Sequence, residues 1–135
     1  YVANLGVPAL LHSCGCINAY LDDLVQTRIS AIHPLQRTAH MDLRAVKRKY
    51  GRRLCIIGNV DSSRTLPYGT PAEVTAEARA AIAIAAPGGG YVLASDHSLH
   101  DGIPIENILA LRDAGLRYGF QGAAALRPSR RQRRG

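Results

Sequence analysis

Two apolar periods alternate along nearly the whole chain, and this constrains its fold more than any other feature. Val7–Leu11 reads as a short buried strand ending in the loop His12-Ser13-Cys14-Gly15. Ala19–Thr27 follows, with Leu21, Leu24 and Val25 at helical spacing. Ile29–Leu35 is a second strand, closed by Pro34. Asp42 is placed to cap a helix in which Leu43, Val46, Lys47 and Tyr50 keep the 3.6-residue period, with Gly51 as its stop. Leu54–Val60 is so apolar that both faces of this third strand are expected to be covered. Thr70-Pro71-Ala72-Glu73 combines a cap, a proline at the first helical position and the glutamate of a capping box. That helix runs to Pro87 and a Gly88-Gly89-Gly90 turn; Tyr91–Ser95 is the fourth strand and Pro104–Tyr118 the fourth helix.

Four consecutive strand–helix units imply an α/β fold with a parallel sheet and right-handed crossovers. They make half of a (β/α)8 barrel or a small open sheet. A half barrel leaves two strand edges and an apolar interior uncovered. The chain therefore reads as a fragment of a longer chain, the rest of which would complete the barrel, or as a homodimer that covers those edges. Its 135 residues suit one domain, placed at 1–120, with a basic tail at 121–135. Five of the 17 basic residues (Arg127, Arg130, Arg131, Arg133 and Arg134) lie in that tail, so the remaining 12 nearly balance 10 acidic ones.

With 47% hydrophobic and 20% charged residues, the body can bury a core. No run approaches the ~18 apolar residues of a membrane span, and Tyr1-Val2-Ala3-Asn4 does not resemble a signal peptide. Three cysteines, two of them separated by a single residue, make no disulfide framework, so a reducing cytoplasm is expected. The tail has no interleaved aromatics. It is expected to be a disordered appendage and not a nucleic-acid surface.

Polar residues fall at the C-terminal end of each expected strand: His12/Cys14, His33/Gln36, Asn59/Asp61 and Asp96/His97. Ligands bind at that edge of parallel α/β folds, where loops and helix N-termini converge. His12 and Cys14, two residues apart on an extended segment, point to the same side, and an imidazole with a thiolate suits zinc. A third ligand must come from elsewhere; His97 is the best placed and Cys16 the nearer competitor. The alternative is a strand-end histidine and a buried cysteine without metal. Asn59 and Asp61 can bind substrate polar groups or orient a general acid or base, or Asp61 can simply cap the next turn. Asp96 and His97, being adjacent, face opposite ways, so a ligand histidine would take its hydrogen-bond partner from another strand. Cys55 is expected in the core, His33 lining a pocket, and His40 and His100 in solvent.

In order along the chain, His12-Ser13-Cys14-Gly15, Asp22-Asp23-Leu24, His33-Pro34-Leu35-Gln36, Met41-Asp42-Leu43 and Lys47–Gly51 resemble the uroporphyrinogen decarboxylase-like superfamily. Gly58-Asn59-Val60-Asp61, Gly69-Thr70-Pro71, Glu73-Val74, Pro87–Gly90, Ser95-Asp96-His97-Ser98 and Glu106-Asn107 complete the series, which covers roughly Val7 to Tyr118. The resemblance implies the C-terminal half of a (β/α)8 barrel. One branch of the superfamily decarboxylates a tetrapyrrole without a cofactor, using acidic and arginine residues of the N-terminal part. The other transfers methyl groups between a corrinoid and a thiol, using zinc held by a His-x-Cys pair and a later cysteine. There the zinc lowers the thiol pKa, giving a thiolate that attacks the methyl group on cobalt.

His12 and Cys14 match that His-x-Cys pair, whereas Asp96-His97 stands where the third ligand, a cysteine, is found in that branch. The resemblance thus implies zinc on His12 and Cys14, with His97 able to serve as an imidazole third ligand in place of that cysteine. From their strand-end positions Gln36, Asn59, Asp61 and Asp96 are expected to line the substrate cleft, with Asp61 and His97 as catalytic groups; the resemblance adds a corrinoid, on a corrinoid protein, as methyl carrier. Tetrapyrrole decarboxylation is the alternative, with His97 and the Asn59–Asp61 loop on the substrate. A third reading is a catalytically silent fragment or interaction module.

Overall fold

The computed structural model describes residues 2–124. Four strands, β1 (Leu10–His12), β2 (Ala31–His33), β3 (Cys55–Val60) and β4 (Tyr91–Ser95), form one sheet in the order β1-β2-β3-β4. Every neighbouring pair is parallel. The connections hold five helices: α1 (Leu21–Gln26), α2 (Leu43–Tyr50), α3 (Thr65–Tyr68), α4 (Pro71–Ala85) and, after β4, α5 (Ile105–Ala124). The four expected strand–helix units are all present, and the fold is α/β with a parallel sheet.

Local chemistry sets several boundaries. Asp42 Oδ1 accepts from the N–H groups of Arg44 (2.8 Å) and Ala45 (3.1 Å), so α2 starts where its cap predicts. Thr70 and Glu73 form the reciprocal capping box of α4, with Pro71 in its first turn. Gly51 ends α2 at φ −63°, an ordinary right-handed value. Its lack of a side chain matters for space instead, because a Cβ there would lie 2.5 Å from the Lys47 carbonyl oxygen.

The sheet is covered on one side. Ile32 and Ile56, register partners, are both 0% exposed and pack with Leu21, Val25, Val46, Tyr50, Ala81 and Ala85 of α1, α2 and α4. A second cluster joins Val60, Leu66, Val74, Ala78 and Ala114, clamping α3 and α5 onto α4. On the opposite face Leu10 is 55% and Val92 48% exposed. On β3 itself Ile56, Gly58 and Val60 are buried, while of the alternate residues Cys55 and Ile57 are half-buried and Asn59 is buried, so its second face is partly covered among the described residues.

Other expectations shift for physical reasons. The first strand is Leu10–His12, three residues at an open edge, and is not buried. Pro8 has no N–H to donate to a ladder, and Leu10 faces the uncovered side. Cys55 is half-buried, and burial raises its thiol pKa. The last helix runs on to Ala124; the basic tail beyond that residue lies outside the described residues. No helix among the described residues is long and apolar enough to cross a membrane.

Candidate functional site

The C-terminal edge of the sheet is where the polar side chains meet. His12 and His33 end adjacent strands as register partners, so both rings lie on the uncovered face. Their Nδ1 atoms are 2.8 Å apart. On the far side of His12, Nε2 is 3.3 Å from Cys14 Sγ. On the far side of His33, Nε2 donates to the Ser95 carbonyl at the end of β4, at 3.2 Å. Burial first of all, and also the nearby His12 and His97, lower the pKa of His33, against the pull of the Ser95 carbonyl and Asp96. The ring of His97, on the exposed loop after β4, has its centroid 6.4 Å from that of His12.

His12 Nε2 and Cys14 Sγ are a nitrogen and a sulfur at a separation that one tetrahedral zinc can bridge, given Zn–N and Zn–S lengths of about 2.0 and 2.3 Å. They fit one edge of such a site. Among the described residues no group of three or more histidine, cysteine or acidic side chains is arranged to hold a metal. His97 stands apart from the pair. Cys16, the nearer competitor, is exposed and accepts a long contact from Asn18 Nδ2 at 3.5 Å. Cys14 is exposed too, unlike the inert buried thiol of the metal-free alternative.

Gln36 secures the cysteine loop. Its Oε1 accepts from Gly15 N–H at 2.8 Å while its Nε2 donates to Thr38 Oγ1 at 3.1 Å. Asn59 is 4% exposed and donates from Nδ2 to the Leu35 carbonyl at 3.1 Å, which ties β3 to the turn after β2. In that turn Pro34 approaches so closely that a Cβ on Gly58, at φ +131°, would lie 2.2 Å from the Pro34 oxygen.

Both aspartates are engaged with backbone. Asp61 Oδ1 accepts from Ser63 and Arg64 N–H (2.8 and 2.9 Å), the turn-capping geometry. Asp96 Oδ1 accepts from both the N–H and hydroxyl of Ser62 (2.8 and 2.7 Å), whereas its Oδ2 is buried without a partner. Asp96 is buried and His97 exposed, but both lie in the bend after β4, so strand alternation does not set their directions. His40 and His100 are exposed.

Two contributors were not singled out by sequence reasoning. Glu77 of α4 receives Asp61 N–H (2.9 Å) and Arg37 Nη1 (2.5 Å) on one carboxylate oxygen, fixing the loop after β3. Ser62 is the partner of Asp96. A depression of about 590 Å³ lies at the other end of the strands among Lys47, Arg48, Arg52, Arg53 and Gly88.

Residues 2–118 match the sequence model of the family described as Uroporphyrinogen decarboxylase (URO-D). The chain is 31% identical over 111 residues to the methylcobamide:CoM methyltransferase MtaA of Methanosarcina barkeri, covering 82% of this chain and 31% of that protein. It is 32% identical over 78 residues to the uroporphyrinogen decarboxylase of Actinobacillus succinogenes, covering 58% of this chain and 22% of that protein. The solved structure of a methyltransferase from Methanosarcina mazei superposes with a TM-score of 0.70 at 28% identity, covering 83% of this chain and 32% of the other. The chain thus spans no more than a third of the length of each of these relatives.

Proposed function

This chain belongs to the uroporphyrinogen decarboxylase family, and we propose that it carries the zinc-binding edge of a barrel enzyme that moves a methyl group between a corrinoid carrier and a thiol. The observation that carries this reading is the His12–Cys14 pair, with Nε2 and Sγ 3.3 Å apart at the C-terminal edge of a parallel sheet. The similarity to the methyltransferase MtaA supports it. His12 and Cys14 would hold the metal, with His97 as third ligand once its side chain moves toward the pair. A zinc ion bound there would lower the pKa of a thiol substrate so that it is a thiolate at neutral pH.

The chain's own groups would do the remaining work. Gln36 holds Gly15, and with it the Cys14 loop, against the end of β2. Asn59, Asp61 and Asp96 shape the cleft floor around β3 and β4, with Asp61 and His97 facing the reacting groups. The partners are a small thiol and a corrinoid, delivered by a corrinoid protein, in a reducing cytoplasm where Cys14 and Cys16 stay as thiols.

Titration with Co2+ tests the reading on the chain itself. A thiolate-to-cobalt absorption band that vanishes in Cys14→Ser is the expected result. Tetrapyrrole binding without any metal-dependent band would overturn it in favour of the decarboxylase alternative.

A further inference from the structure

We propose that His33 is a positioning residue that fixes the tautomer of His12, so that Nε2 of His12 is the nitrogen free to take a metal beside Cys14. The inference rests on the zinc reading for its purpose but on hydrogen-bond logic for its content. A carbonyl oxygen only accepts, so the contact from His33 Nε2 to the Ser95 carbonyl puts the ring hydrogen of His33 on Nε2. A neutral imidazole carries one such hydrogen, which leaves His33 Nδ1 as an acceptor. The 2.8 Å contact with His12 Nδ1 then requires the hydrogen of His12 on Nδ1. His12 Nε2 is left with a bare lone pair, and that atom is the one 3.3 Å from Cys14 Sγ.

The chain of bonds links three strands of the sheet. The β4 backbone fixes His33 on β2, and His33 fixes His12 at the end of β1. Metal-bound histidines generally donate their second ring N–H to a carboxylate, carbonyl or water, which orients the ring and raises its basicity. Here that acceptor is a second imidazole. The Ser95 carbonyl is a main-chain group, so the arrangement depends on the register of β3 with β4 and not on another side chain.

Long-range 15N–1H correlation spectra of the metal-free chain at pH 8 read the tautomers directly. The expected result is His12 as the Nδ1–H form and His33 as the Nε2–H form. His12 as the Nε2–H form would overturn the proposal whether or not zinc binds. Zinc affinity supplies the second readout. His33→Ala is expected to lose about 10- to 100-fold, with the His12 tautomer becoming mixed. His33→Asn, whose side-chain oxygen can stand where Nδ1 stood, is expected to restore most of both. An unchanged His12 tautomer and zinc affinity in a folded His33→Ala protein would overturn the relay. A chain that binds no zinc but has the expected tautomers supports the relay and defeats the zinc reading alone.

Discussion

Asp96 is 1% exposed, and one of its oxygens holds both polar groups of Ser62. Truncation to Asp96→Ala would leave the Ser62 N–H buried without a partner. An unmade bond of that kind costs about 1–3 kcal/mol. The expected outcome is a lowered urea midpoint with an unchanged slope; an unchanged midpoint would show that Ser62 finds another acceptor. Thiol reactivity gives a second residue-scale check. Cys14 and Cys16 are exposed, and Cys55 is half-buried with its pKa raised by burial. Alkylation at pH 7.5, followed by mass spectrometry, is expected to modify the first two well before Cys55, and zinc is expected to protect Cys14. What the sequence could tell at this scale was residue type and strand-end position. It could not tell partners: His33 was legible as a pocket residue, but its contact with His12 needs the exact register of two three-residue strands. Ser62 and Glu77 carry no local signal at all, because their roles arise only when α4 and β4 pack beside the loop after β3.

At the scale of elements, the strongest signals were the capped helices. The Asp42 cap gave α2 its start, and Thr70-Pro71 with Glu73 gave that of α4. These signals are covalently local, so no packing was needed to read them. Helix α3 was missed because four residues, one of them Pro67, are too few to show a period. The first strand was misplaced because its apolar run includes Pro8 and an edge residue facing outward. The α4 box also sets a pH dependence. The backbone N–H of Thr70 first, and then its hydroxyl, hold the Glu73 carboxyl below the usual glutamate value. A carboxyl lowered in the folded state stabilises the fold above its unfolded pKa of about 4.3 and loses that contribution as pH falls through the folded value. The melting-temperature difference between wild type and Glu73→Gln is therefore expected at pH 7 and should fade as pH falls from the unfolded value of about 4.3 through the lower folded one. A difference that persists into acid would contradict the box. Thr70→Ala is expected to cost about 1 kcal/mol.

For the molecule as a whole, the half-barrel character follows from one arrangement: four parallel strands in sequence order with helices on one face. The open face, with Leu10 and Val92 half-exposed, and the outer edges of β1 and β4 are surfaces that soluble chains cover or blunt. Expressed alone, the 135-residue chain is expected to associate, as read by size-exclusion chromatography with light scattering. A well-folded monomer would count against that expectation. The parallel α/β class was legible from the alternation of periods, whereas the uncovered face was not. Apolar character on both sides of β3 calls for cover on both, without saying which elements supply it. The function proposed for this edge turns on whether His12 and Cys14 hold a metal. The direct measurement is zinc per chain by plasma mass spectrometry on the purified, folded protein and on Cys14→Ser. The account predicts about one zinc per chain in the first and none in the second, as expected for a site that leans on a thiolate ligand. Folded wild-type protein without zinc after loading and desalting would contradict it.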